Sequence, residues 1–141
     1  MEDINALDEI HKGACMGVDA LSIVMDKVKD ENLKQELEKE EKNYKRIAKK
    51  IESIYPKYNE GEPHKTGAMN KVMTWSDIEM KTFNDDSNSK IAELLLNGVN
   101  MGIIEGRRIL NKKEINEEVS KIVSEYVTMQ EQSVDILKGY L

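Results

Sequence analysis

Apolar residues recur at steps of three and four along most of this chain, and this feature constrains its fold the most. Such spacing places them on one face of an α-helix, because a helix completes a turn about every 3.6 residues. Both prolines lie in the segment 56 to 65, so no proline interrupts the other stretches. With 39% hydrophobic and 34% charged residues, the composition is typical of long amphipathic helices. We predict an all-α protein.

Five helical segments follow from this periodicity. A polar turn at 30 to 32 separates the first two, and Pro56 ends the second because proline cannot continue the helical hydrogen-bond ladder. Thr66 is in position to cap the third, which turn residues at 84 to 87 separate from the fourth. The predicted helices cover about residues 3 to 29, 33 to 55, 66 to 84, 88 to 110 and 114 to 139. The residues predicted to line the inner side of the fourth are Ile91, Leu94, Leu95, Met101, Ile104 and Ile109.

An internal repeat indicates how the helices are arranged. The pattern Gly-x-x-Met-Gly at 13 to 17 recurs at 98 to 102, and Tyr44 and Tyr126 occupy equivalent places in the helices that follow. We therefore predict a four-helix bundle of two repeated helical hairpins, with an extra helix in a long crossover. The predicted parts of the single domain 1 to 141 are the hairpin 3 to 55, the crossover loop and helix 56 to 84, and the hairpin 88 to 140.

This architecture resembles the ferritin-like superfamily, whose members hold iron or manganese between two helical hairpins. The resemblance implies single Glu ligands on two helices and Glu-x-x-His on the other two. No Glu-x-x-His occurs in the chain, and the nearest counterpart is Glu41 followed by Tyr44. Glu40 and Glu105 remain as candidate inward ligands. The alternative, and the more common arrangement, is a glutamate at the edge of the core with its carboxylate in water.

A second resemblance concerns the middle of the chain. The segment from Trp75 to Ile109, especially residues 85 to 93 followed by Met101 and Gly102, is similar to uncharacterised helical proteins of low-GC Gram-positive bacteria. This similarity implies a class of source organism and no activity.

His11 and Cys15 lie one turn apart in the first helix, with Asp8 and Asp19 on neighbouring turns. Imidazole and thiolate are zinc ligands, so the pair is a candidate for zinc binding. The alternative is a histidine at the core boundary beside a small buried cysteine, which involves no ligand.

Glycines spaced by four residues mark one face of each of two helices. A missing side chain lets another backbone approach closely, so helix packing is the leading interpretation. The alternative is space for a ligand between the first and fourth helices. The glycines concerned are Gly13, Gly17, Gly98, Gly102 and Gly106.

Charge and composition narrow the possible partners. The net charge of −6 disfavours nucleic acid, whose phosphate backbone requires a concentrated basic face. No apolar run approaches the roughly 20 residues that span a bilayer, and acidic residues replace a signal-peptide pattern in the first thirty positions. With Cys15 as its single cysteine, the chain is expected in the cytoplasm.

No nucleophile motif or phosphate-binding loop occurs in the sequence, so we expect no enzymatic activity without a cofactor. The leading hypothesis is a non-enzymatic bundle that acts through protein contacts, most simply as a homodimer. The alternative is a noncanonical metal-binding bundle that holds iron, manganese or zinc. The predicted interface residues on the crossover helix are Met69, Met73, Trp75 and Met80.

Overall fold

The computed structural model describes residues 2–59, 85–112 and 114–141. This part of the chain is helical, which confirms the prediction of an all-α protein. The crossover helix, Thr66 and the four predicted interface residues lie outside the described residues. The α-helices are α1 (Glu2–Met25), α2 (Glu31–Ile54), α3 (Asn88–Lys112) and α4 (Glu117–Leu137), with short 3-10 helices at Tyr55–Lys57 and Lys138–Tyr140.

Side-chain caps set the beginnings of α2 and α4. Asp30 Oδ1 accepts from the Leu33 backbone N–H, and Asn116 Oδ1 accepts from that of Val119, each at 2.9 Å. These bonds satisfy donors that a helix N-terminus otherwise leaves without a partner. The predicted polar turn at 30 to 32 is therefore shorter than expected, since α2 begins directly after Asp30.

The predicted end of the first helix, at 29, is wrong by several residues. α1 ends at Met25, and the chain turns through Lys27 and Val28 before α2 begins. Val28 is nonetheless buried. Because Val28 is apolar, the three- and four-residue spacing of apolar residues continues past the end of α1, and this placed the predicted end too late.

Contacts at the two ends of the bundle fix the direction of each helix. At one end, Lys29 Nζ lies 3.9 Å from Asp86 Oδ2, which places the end of α1 near the start of α3. At the other end, the Asn116 backbone N–H donates to Asp3 Oδ1 at 2.8 Å, and Asn116 Nδ2 donates to the Tyr58 hydroxyl at 2.7 Å. Each hairpin is antiparallel, and the connection from α2 to α3 joins opposite ends of the bundle.

All four helices contribute to one hydrophobic core. α1 packs mainly on α2 and α3 mainly on α4, while α2 also contacts α4 and α1 contacts α3. Each fully buried leucine or isoleucine side chain contributes about 1.5–3 kcal/mol relative to leaving it exposed. The largest fully buried apolar side chains are Tyr55, Leu7, Ile10, Leu21, Leu33, Leu37, Ile47, Ile51, Ile91, Leu137 and Val24.

α3 turns a different face to the core from the one predicted in its second half. Met101 is 69% exposed and Ile104 is 50% exposed, so their assignment to the inner side is wrong. Small residues line the inner face there, and Val127 of α4 packs directly on Gly106. A prediction based on large apolar residues alone therefore chose the wrong face of α3 as the buried one. The buried residues of α3 are Ile91, Ala92, Leu95, Val99 and Gly106.

Candidate functional site

A group of polar side chains is buried where α2 faces α4. α2 contributes Glu40 and Tyr44, which lie one turn apart, and α4 contributes Tyr126, Gln130 and Ser133. Because the two helices are antiparallel, the Glu40 end of this set lies against Ser133 and the Tyr44 end lies against Gln130. We call these five residues the polar core cluster. Apart from His11, the buried polar or charged residues of the described core all belong to this cluster, and buried polar groups normally need partners.

The two tyrosines of the cluster pack against each other and against glycines of α1. Their ring centroids lie 6.2 Å apart at an interplanar angle of 60°, an edge-to-face arrangement. A Cβ at Gly17 would lie 2.9 Å from Tyr44 Cε2, and one at Gly13 would lie 2.5 Å from the Tyr126 hydroxyl. Burial raises the pKa of Tyr44 to about 12 and also raises that of Tyr126. Both phenols therefore stay neutral near pH 7.

The glycines of α3 do not share one environment. The Gln130 side chain lies directly over Gly102, where a Cβ would overlap its amide, and Gly106 receives Val127. Gly98 differs, because no described residue lies within 4 Å of a Cβ built there. Packing within the described part of the bundle therefore does not require a glycine at this position.

Glu40 is buried and only 5% exposed, so the common arrangement with the carboxylate in water does not apply to it. Burial raises its pKa to about 7, the Ser133 hydroxyl acts in the opposite direction, and Glu36 adds to the rise. Ser133 Oγ also donates to the Met129 carbonyl oxygen at 3.3 Å. Because a hydroxyl has one proton, this bond competes with donation to the Glu40 carboxylate. Within the described residues, Glu40 Oε1 and Gln130 Oε1 have no hydrogen-bond partner.

The other predicted carboxylate ligands do not join Glu40. Glu41 Oε2 accepts from Ser22 Oγ at 3.1 Å, and Glu41 Oε1 lies 3.3 Å from Lys45 Nζ. Glu105 is exposed, and its charge adds to the rise that burial and Tyr44 cause in the pKa of Tyr126. Across the described residues, no three His, Cys, Asp or Glu side chains converge as metal ligands. This set of side chains does not fit the dinuclear centre that the ferritin-like resemblance implies.

His11 and Cys15 meet a third residue that the sequence pattern did not indicate. His11 is fully buried, and its Nε2 lies 3.3 Å from Glu52 Oε2 on α2. The Cys15 Sγ lies 3.8 Å from His11 Nδ1, and Cys15 is half-buried. The expectation of a histidine at the core boundary is therefore wrong. Glu52 was missed because it lies on another helix, and only packing brings it to His11.

The outer face of α3 carries an exposed apolar surface. Met101 and Ile104 stand exposed beside Gly98, which is also exposed, and Leu94 lies half-buried at its edge. We call these four residues the α3 outer face. Met101 and Ile104 carry large exposed side chains, whereas Gly98 has none. An apolar surface of this kind on a single helix is a candidate contact site.

None of the described helices is long and apolar enough to span a membrane. Comparison with protein-family models, with curated proteins and with solved structures finds no match to this chain.

Proposed function

We propose that this chain is a non-enzymatic helical-bundle protein that works through self-association, with the α3 outer face as the contact between two copies. The observation that carries the proposal is the exposure of Met101 and Ile104 beside Gly98. Exposed apolar side chains that lie next to each other often mark a site of contact with another protein, whereas single exposed apolar side chains are common on any surface. The single cysteine, Cys15, is consistent with a reducing compartment, and we place the protein in the cytoplasm.

Gly98 supports this interpretation because a glycine inside a helix costs about 1 kcal/mol relative to alanine. At Gly17 and Gly102 close packing by Tyr44 and Gln130 offsets this cost. No described residue approaches Gly98. A second chain that packs closely on this position would supply the missing reason for a glycine.

A second copy is the occupant that the α3 outer face fits by its own symmetry. In an antiparallel pair of α3 helices with a twofold axis at Met101, each Ile104 would lie level with the Gly98 of the other copy along the helix axis. The same pairing brings Glu93 of one copy near Arg108 of the other, so opposite charges face each other at both ends. An isologous contact of this kind closes a dimer and exposes no further edge.

The solution mass of the purified chain as a function of concentration tests the proposal. We expect twice the chain mass for the unchanged protein, and a shift to the monomer for Met101→Asp and for Ile104→Asp. Met16→Asp is the matched control, since Met16 is a 39% exposed methionine on α1. Gly98→Ala should weaken the dimer although alanine favours the helix. A monomer at all concentrations would contradict the proposal, as would a dimer that neither aspartate affects.

The proposal also includes the way in which the two hairpins are arranged and related. We assign a ferritin-like arrangement of duplicated hairpins, supported by the one long connection that joins opposite ends of the bundle. The pairing of Tyr44 with Tyr126, which occupy equivalent places in the sequence repeat, also supports it. The duplication stays a prediction.

The buried Glu40 favours an alternative, a bundle that binds a single metal ion in its core. Among the residues that the structure describes, the carboxylate and the Gln130 amide each keep an oxygen without a donor, and oxygen ligands suit manganese better than zinc. Elemental analysis of protein purified without chelator tests this, with Glu40→Ala as the comparison. Near-stoichiometric metal that is lost in the variant would support the alternative, and metal-free protein would rule against it.

A further inference from the structure

Three side chains from two helices form a connected group on one side of the α1–α2 hairpin. Glu52 Oε2 of α2 lies 3.3 Å from His11 Nε2, and Cys15 Sγ lies 3.8 Å from His11 Nδ1 and 4.0 Å from Nε2. His11 is completely buried, whereas the Glu52 side chain is 46% exposed and Cys15 is half-buried. Cys15 is thus partly accessible to solvent as a residue, while the imidazole that it contacts is buried.

The positions in sequence explain why the group forms. His11 and Cys15 are one turn apart on α1, so their side chains follow each other along the side that faces α2. Two hydrogen bonds hold this side of α1 against the neighbouring part of the chain. One joins Asp8 to the Tyr55 hydroxyl, and in the other Ser22 Oγ donates to Glu41 Oε2. Three or four residues from His11, Cys15 or Glu52 along the chain, the other titratable residues are Asp8, Lys12 and Asp19 on α1, Lys49 on α2 and Tyr55 directly after α2.

The arrangement has the components of an activated thiol. The thiolate is the reactive form of cysteine, and a neighbouring imidazole promotes it by accepting the proton. The Glu52 carboxylate contacts the ring at Nε2 and holds it in place. A nucleophile, a base and a third group that orients the base are the usual members of such a set.

We propose that Cys15 is a site of thiol–disulfide exchange with small disulfides, with His11 as proton acceptor and Glu52 as a positioning residue. His11 takes the Cys15 proton, and the thiolate attacks one sulfur of the small disulfide. A new S–S bond forms to Cys15 as the original S–S bond breaks, and the departing thiolate takes the proton from His11. One disulfide is consumed and one is formed, so no further oxidant is needed.

The composition of the chain determines where this reaction stops. Cys15 is the only cysteine, so no second thiol of the same chain can displace the bound group. The product is a mixed disulfide that a small thiol reverses. The half-buried position of Cys15 favours small disulfides over protein disulfides as the partner.

The rate of reaction with the chromogenic disulfide DTNB tests the proposal on the folded chain. We expect the half-maximal rate at a lower pH than in urea-unfolded protein. Glu52→Gln removes the charge of a partly exposed side chain and should slow the reaction at pH 7 by about tenfold, moving the half-maximal pH upward by about one unit. His11→Asn should have at least the same effect.

Glu41→Gln is the matched control, because Glu41 lies on the same helix and contacts Ser22 and Lys45 instead of His11. It should leave both the rate and its pH profile unchanged. Circular dichroism of each variant separates loss of structure from loss of reactivity, and Glu52→Gln keeps the test valid if His11→Asn does not fold. Equal rates for Glu52→Gln and the unchanged protein would overturn the proposal. A thiol that reacts only after unfolding would overturn it too.

Discussion

Glu40 shows at the residue scale how burial changes the chemistry of a side chain. Its position among Leu37, Tyr44 and the other inner residues of α2 places it in the core, and α4 presents Ser133 and Gln130 there. Neither residue supplies the carboxylate with the full set of donors that an ion needs. The free energy of unfolding should therefore depend on the ionisation of this one group.

We predict that Glu40→Gln removes this pH dependence. The pKa of Glu40 is raised from 4.5 to about 7 in the folded chain. Because the pKa of Glu40 is higher in the folded chain, the stability that this group contributes to the folded state is complete below pH 4.5. It is lost as the pH rises through about 7. Relative to the unchanged protein, the variant should gain about 3 kcal/mol between these limits, measured by urea unfolding at several pH values. Glu38→Gln, an exposed neighbour, is the control, and parallel profiles for Glu40→Gln and the unchanged protein would refute the prediction.

At the scale of elements, the caps decide where helices begin and how the hairpins meet. Asn116 caps α4 through its side-chain oxygen, while its amide nitrogen donates to the Tyr58 hydroxyl and its backbone N–H donates to Asp3. One residue therefore connects the start of α4 with α1 and with the end of α2. Asp30 caps α2 by the same kind of bond to Leu33.

We predict that Asn116→Ala lowers the free energy of unfolding by about 1–2 kcal/mol, from loss of the cap and of the Tyr58 contact. Asp30→Ala, the matched cap, should cost about 1 kcal/mol. Urea unfolding of both variants at the same pH gives the comparison. Combining Asn116→Ala with Tyr58→Phe should cost less than the two changes separately. Full additivity would show that the Tyr58 contact contributes nothing.

At the scale of the whole molecule, the two hairpins are held together mainly by their common core. Glu125 of α4 contacts both Arg46 and Lys50 of α2, at 3.2 and 2.8 Å, across the junction. Exposed ion pairs of this kind usually contribute less than about 1 kcal/mol. The buried Tyr44–Tyr126 pair and the apolar residues around it therefore account for most of the association between hairpins.

Much of the fold could be predicted from sequence because helical periodicity is a local property. The steps of three and four together with Pro56 indicate the helices to within a few residues at most ends. The exceptions have local causes as well, such as the buried Val28 in the turn after α1. The proximity of His11 and Cys15 is local too, because a separation of four residues places two side chains one turn apart on the same face of a helix.

Only the tertiary structure decided which side chains meet across helices. The apolar pattern of α3 includes Met101 and Ile104, yet packing of α4 on the small residues of α3 leaves both in solvent. Glu52 reaches His11 across 41 positions of sequence, and Glu40 lies in the core because α4 faces it. A periodic pattern defines the faces of one helix, but the orientation of its neighbours determines which face is buried. The chemistry of the polar core cluster and of Cys15 follows from that orientation.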